Sequence, residues 1–180
     1  MLKIMNKIES ALQRTRDTKA LFIGKGVVAR TAEMFNKLFP GKTAVIIADT
    51  NTWEVAGKAV EASLQEAGVP MAEKLVIDDP ELYAEWRFIE MIEDFLEDRD
   101  VIAIAVGSGV INDLTKLVSG RLGRKYMCVG TAVSMDGYTA YGASITKDGN
   151  KETYDCPAPY GFVMDPEIAA EAPKELARSE

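Results

Sequence analysis

The stretch Val106-Gly107-Ser108-Gly109-Val110-Ile111-Asn112-Asp113 closes an apolar run and opens into a segment of helical period. The five residues before it, 101–105, are apolar, and after it Ile111, Leu114, Leu117, Val118 and Leu122 recur at helical spacing. Strand, glycine turn and helix in that order make a phosphate cradle: glycines let main chain approach an anion, and the unpaired N–H groups at the helix start offset its charge. A Gly-x-Gly turn also serves ordinary tight turns, and Asp113 can equally answer the helix dipole.

Working outward, β-branched or apolar runs at 20–23, 43–48, 74–77, 126–130, 143–146 and 162–164 alternate with helical segments expected at 26–38, 52–67, 81–98 and 109–122. That alternation predicts an α/β chain with a parallel sheet wrapped by crossover helices. Thr50 or Asn51 is suited to cap the second helix, Gly68 with Pro70 to stop it, and Pro80-Glu81 to form the first turn of the third. From 131 to 162 the texture shifts to small residues, hydroxyls and tyrosines, with Asp148-Gly149-Asn150 as the turn of a β-hairpin. After Asp165-Pro166 two short helical starts follow, the second opening at Pro173.

With 180 residues, 47% of them hydrophobic, the chain can build one well-packed α/β domain and little more. A net charge of -7 argues against a nucleic-acid surface, which needs clustered Lys and Arg. No apolar run approaches the roughly 20 residues that span a bilayer, and Lys3, Asn6, Lys7 and Glu9 interrupt the start as a signal peptide would not allow. A cytoplasmic protein without membrane insertion is expected, with homo-oligomerisation left open. Cys128 and Cys156 are read as buried, reduced thiols. The sequence contains no histidine, which excludes a Ser-His-Asp triad, a Cys-His pair and any imidazole metal ligand.

A second motif, Ile46-Ile47-Ala48-Asp49-Thr50-Asn51-Thr52, sets a carboxylate just past the end of a buried strand. A carboxylate there can accept both ribose hydroxyls of an adenosine and repels a 2′-phosphate, which favours NAD over NADP. The alternative is that Asp49 caps a turn. A third motif, Thr131-Ala132-Val133-Ser134-Met135-Asp136-Gly137-Tyr138-Thr139, follows the strand ending near Gly130.

Together, Gly107-Ser108-Gly109, Ile111-Asn112-Asp113-Leu114, Thr131-Ala132 and Ser134-Met135-Asp136-Gly137-Tyr138-Thr139 resemble the sn-glycerol-1-phosphate dehydrogenase family. That family groups with the glycerol dehydrogenases, iron-containing alcohol dehydrogenases and 3-dehydroquinate synthases. Asp49-Thr50-Asn51-Thr52 and the tail from Asp165-Pro166 to Ala172-Pro173-Lys174-Glu175 extend the likeness over nearly the whole chain. The resemblance implies the N-terminal, Rossmann-like domain of the dehydroquinate synthase-like fold, with residues 1–165 as an NAD(P)-binding unit and 166–180 as the start of a C-terminal helical domain.

By that resemblance Gly107, Ser108 and Gly109 hold the pyrophosphate, with Asp113 in the same cofactor-binding set. Asp49 holds the adenosine ribose, Thr131 and Ser134 the nicotinamide end, and Asp136 the substrate hydroxyls. Lys151 is a candidate for a substrate phosphate, against the plainer reading of a solvated loop lysine. The implied reaction interconverts sn-glycerol 1-phosphate and dihydroxyacetone phosphate with NAD or NADP. A zinc-type divalent metal polarises the alcohol oxygen in the full-length parent. Its ligands in the family are an aspartate and two histidines of the helical domain, beyond a segment like Glu175-Leu176-Ala177-Arg178-Ser179. No metal ligand is therefore assigned here, and the chain alone is expected to be inactive. A dehydroquinate-synthase-like lyase would carry a lysine close behind the aspartate, whereas the next lysine after Asp136 is Lys147. A non-catalytic nucleotide-binding remnant is the third reading.

Overall fold

A computed structural model describes residues 2, 3, 5, 6, 9, 17–132 and 137–171. Its strands are β1 (Ala20–Ile23), β2 (Ala44–Asp49), β3 (Leu75–Ile77), β4 (Ile102–Gly107), β5 (Met127–Gly130), β6 (Ala143–Lys147), β7 (Asn150–Tyr154) and β8 (Gly161–Met164). The helices are α1 (Thr31–Leu38, after a 3-10 turn at Val27–Arg30), α2 (Thr50–Thr52), α3 (Lys58–Glu66), α4 (Trp86–Leu96), α5 (Gly109–Arg121) and α6 (Pro166–Glu171). A π turn, Trp53–Gly57, joins α2 to α3 as one helical run.

Among the described residues six strands form one sheet in the order β1-β8-β5-β4-β2-β3, and every neighbouring pair is parallel. Such strands are covered on both faces, which is why β4, β5 and β8 read as unbroken apolar runs. Successive side chains supply opposite faces. Val45, Ile47, Ala103 and Ala105 pack with α4, α5 and the hairpin. Ala44, Ile46, Ala48, Ile104 and Val106 pack with α1, the π turn and α3. Among the described residues no helix is long and apolar enough to cross a membrane.

The hairpin of β6 and β7 forms as the sequence predicts, with Lys147 paired to Asn150. Asp148 and Gly149 both take positive φ, 50° and 78°, the requirement of the two-residue turn that suits twisted strands. The third helix does not open at Pro80-Glu81 but at Trp86. Asp79 ties up the residues between, accepting from the Glu81 N–H, and Thr146 N–H donates to Ala84 across to the hairpin at 2.7 Å. A local carboxylate and a long-range bridge outcompete the first helical turn. The second helical run is capped by neither Thr50 nor Asn51. Asp49 is its N-cap, as described below.

Asp165 fastens α6 to the sheet. One of its oxygens accepts from Gly26 N–H at 2.7 Å and the other from Glu167 N–H at 2.9 Å. The second helical start, at Pro173, lies outside the described residues.

Candidate functional site

The helices leaving β2 and β4 depart to opposite faces of the sheet, although the two strands are neighbours. Such a divergence opens a crevice beyond the carboxyl ends, where open α/β sheets receive ligands. Register sets the banks: Ala48 pairs with Val106, so Asp49 and Gly107 follow side by side.

On the β4 bank, Ser108 sits extended at the N-cap of α5 (φ -75°, ψ -176°) and its side chain makes no capping bond. The first N–H groups of this 13-residue helix therefore lack the partner a cap would give. The two glycines beside Ser108 serve different ends. A Cβ on Gly107 would stand 2.7 Å from Ile111 Cβ, so Gly107 is required for strand and helix to meet. A Cβ on Gly109 would meet nothing within 4 Å. Gly109 is exposed, and the space above it is open to a ligand that must come close to main chain.

On the β2 bank, Asp49 Oδ1 accepts from Thr52 N–H at 2.8 Å while Thr52 Oγ1 accepts from Asp49 N–H at 3.1 Å. This reciprocal capping box realises the plainer of the two readings of Asp49. It leaves Oδ2 without a partner among the described residues, on the same half-exposed residue.

Below the rim lies a polar assembly that sequence reasoning missed. Gly107 O accepts from Thr131 N–H at 3.0 Å and from the Tyr138 hydroxyl at 3.2 Å, and that hydroxyl in turn accepts from Ala132 N–H at 3.0 Å. The Tyr138 ring stacks on Phe162, centroids 5.1 Å apart. Asn112 is fully buried; its amide donates to Tyr138 O at 3.2 Å and accepts from the Tyr126 hydroxyl at 2.7 Å. Lys116, 1% exposed, donates to Ala140 O at 2.8 Å and to Gly142 O at 3.0 Å. Burial pushes the phenols of Tyr126 and Tyr138 above their ordinary range, so both stay protonated donors. Burial likewise raises the thiols, Cys156 to about 11 and Cys128 further; both are free and buried.

A sequence signal for this assembly exists. Asn112, Thr115, Lys116 and Ser119 recur at i, i+3, i+4 and i+7, and all four are buried, so the stripe that would ordinarily face water is covered, with Asn112 and Lys116 bonded to the loop from 137 to 142.

Of the remaining expected residues that are described, Thr131 joins the rim through its bond to the Gly107 carbonyl, while Asp113 and Lys151 lie apart from it. Asp113 is not in the first turn of α5, which holds no acidic residue; it is the fifth helical residue, too far along to answer the dipole. Its Oδ2 accepts from Ser144 N–H at 3.4 Å, and its Oδ1 lies 3.8 Å from Lys116 Nζ. Burial holds this carboxyl above its ordinary value, against the nearby Lys116 charge and the Ser144 N–H, with a smaller opposing pull from Lys151. Lys151 is exposed on β7 opposite Thr146. Thr131 is buried at the end of β5. Ser134 and Asp136 lie outside the described residues. Among the described residues no group of three Cys, Asp or Glu side chains is placed to hold a metal ion.

Residues 22–173 match the model of the iron-containing alcohol dehydrogenases. The chain is 31% identical over 134 residues to a glycerol-1-phosphate dehydrogenase [NAD(P)+] of Halalkalibacterium halodurans, covering 73% of this chain and 33% of that protein. It is 32% identical over 162 residues to the one from Methanosarcina barkeri, covering 90% and 44%. The chain thus spans about a third to less than half the length of these curated relatives. In fold it is similar to an iron-containing alcohol dehydrogenase from Thermotoga maritima, with a TM-score of 0.78 at 14% identity over 92% of this chain and 51% of that one. With the match running from the first strand past α6, the chain belongs to the iron-containing alcohol dehydrogenase family.

Proposed function

We propose that this chain is the dinucleotide-binding part of an NAD(P)-dependent oxidoreductase that interconverts sn-glycerol 1-phosphate and dihydroxyacetone phosphate. The observation that carries the reading is the open main chain at Ser108 and Gly109, directly across the crevice from the unpartnered Asp49 Oδ2. Residues and group fit: a side chain at Gly109 would fill space that a diphosphate needs, and the α5 N-terminus offsets its charge. The curated relatives named above carry NAD(P)+ in their names.

In this reading Gly107, Ser108 and Gly109 hold the diphosphate, and Asp49 orients the adenosine ribose while its other oxygen keeps the helix capped. Thr131 and Ser134 line the nicotinamide end, Asp136 orients the substrate hydroxyls, and Lys151 offers a cation to the substrate phosphate. Asp113 serves the cofactor site from below, through Ser144 and Lys116. The bound dinucleotide supplies the hydride acceptor or donor. Residues 1–165 form the dinucleotide unit and 166–180 lead toward a helical domain whose side chains supply the divalent metal. The isolated chain accordingly binds dinucleotide without turnover.

Calorimetric titration of the chain with NAD and NADP tests the first half, and binding of neither would overturn it. For the second half, the chain joined to the remaining length typical of its relatives should consume NADH with dihydroxyacetone phosphate and yield the sn-1 phosphate. Formation of the sn-3 enantiomer, or no turnover with metal supplied, would refute the substrate assignment.

A further inference from the structure

The Gly107 carbonyl is held from two sides. Thr131 N–H donates to it from the end of β5, and the Tyr138 hydroxyl adds a second bond while accepting from Ala132 N–H. A parallel ladder ends at this point, and the last peptide of a strand is ordinarily free to swing. Here it is not, because the phenol carries the β4 to β5 connection one step past the final rung.

A planar trans peptide points its N–H opposite to its carbonyl. With the Gly107 carbonyl fixed toward β5, the Ser108 N–H is turned toward the other neighbour of β4, which is β2. That direction faces the crevice and Asp49, and the Ser108 N–H has no acceptor among the described residues. The seat of the phenol is built for the purpose. A Cβ on Gly130 would press on Phe162 at 3.0 Å and on Tyr138 Cζ at 3.2 Å, so that glycine leaves room for the ring. Phe162 stacks beneath it, and Asn112 grips the Tyr138 carbonyl.

We propose that Tyr138 is a positioning residue of the anion cradle, its hydroxyl locking the Gly107–Ser108 peptide so that the Ser108 N–H is presented to a diphosphate. This deepens the dinucleotide reading above and rests on it. The class of ligand sensed is a diphosphate ester, and the nucleoside part lies beyond the reach of this peptide.

The test is titration of the chain with ADP and, separately, with adenosine, in the wild type, Tyr138→Phe and Gly109→Val. Tyr138→Phe keeps the ring on Phe162 and removes the hydroxyl alone. ADP should then bind about tenfold more weakly, as for loss of one well-placed hydrogen bond, with adenosine affinity unchanged. Equal weakening of both ligands marks a structural role only and overturns the proposal, as does unchanged ADP affinity in a variant that folds. Amide NMR of the wild type gives a second measurement that needs no variant. On adding ADP the Ser108 amide proton should move downfield; a Ser108 resonance that stays put while Gly109 shifts refutes the assigned direction. Gly109→Val separates the two levels. If it too leaves ADP binding intact, or if the wild type binds no ADP, the dinucleotide reading falls and this inference with it.

Discussion

Two polar regions meet on α5, and they are built on opposite rules. At its tip, Ser108, Gly109 and Asp49 Oδ2 leave groups unmatched. One to two turns further along, Asn112, Lys116, Tyr126 and Tyr138 are buried and each finds its partners, the exception in the same stripe being Thr115, whose buried hydroxyl has none among the described residues. A buried polar group without a partner is costly, whereas one at a wet rim costs little because water serves it until a ligand arrives. In the proposed reading the tip is therefore where binding energy is available, and the assembly below it holds the tip in shape.

That division predicts that variants of Asn112 and Lys116 damage the fold and variants of the tip damage binding, with the Tyr138 hydroxyl, bonded to the Gly107 carbonyl, as the link between the two. The largest expected effect is from Lys116→Ala. It strips donors from Ala140 O and Gly142 O and leaves Asp113 without its cation, so stability should drop by about 3 kcal/mol, roughly 10 °C in melting midpoint. A midpoint within a degree of wild type would show that water replaces the ammonium and that the assembly is not what orders the loop.

Gly109→Val should do the reverse. Gly109 is not among the glycines with positive φ and its Cβ direction is empty, so the fold accepts the side chain. Dinucleotide affinity should fall about a hundredfold, near 2.7 kcal/mol, with the melting midpoint unchanged or slightly raised. Joint loss of stability and binding would erase the contrast between the two regions.

Asp49→Asn sharpens the comparison, since this residue belongs to both. Asparagine caps a helix as well as aspartate does, so stability should stay within about 0.5 kcal/mol. Losing the charge should lower the preference for NAD over NADP by about fivefold, measured as the ratio of the two dissociation constants. An unchanged ratio would confine Asp49 to capping.

The tip was legible in the sequence because its chemistry is local. A strand, Gly107-Ser108-Gly109 and a helix are contiguous, and the hairpin was equally readable from Asp148-Gly149. The saturated region was not, because most of its acceptors are backbone carbonyls at Ala140, Gly142 and Tyr138, which carry no side-chain signature and lie 24 to 26 residues away. The stripe Asn112, Thr115, Lys116, Ser119 was visible, but polar residues at helical spacing ordinarily mark a solvated face. The start of α4 departs from its local signal for a related reason: Pro80 suits a first helical turn, yet the bond from Thr146 N–H to Ala84 O comes from a strand residue 62 positions on. Asp49 ends β2, where its motif puts it, and its capping bond to Thr52 uses one carboxylate oxygen and leaves the other without a partner among the described residues.

The smallest expected effect concerns Asp113, which lies at the border of the two regions. Burial raises its carboxyl in the folded chain against the pull of Lys116, the Ser144 N–H and Lys151. A raised folded value means the fold binds this proton more tightly than the unfolded chain does. Its contribution is then fully present below the unfolded value and is lost as pH rises through the folded one. The wild type should accordingly be penalised at pH 7 relative to pH 4 in a way that Asp113→Asn is not, while every other titrating group contributes equally to both proteins. The variant's melting midpoint minus that of the wild type should be larger at pH 7 than at pH 4. A constant difference would mean that Lys116 fully compensates the buried carboxylate, and the charge of the saturated region would then be balanced within itself.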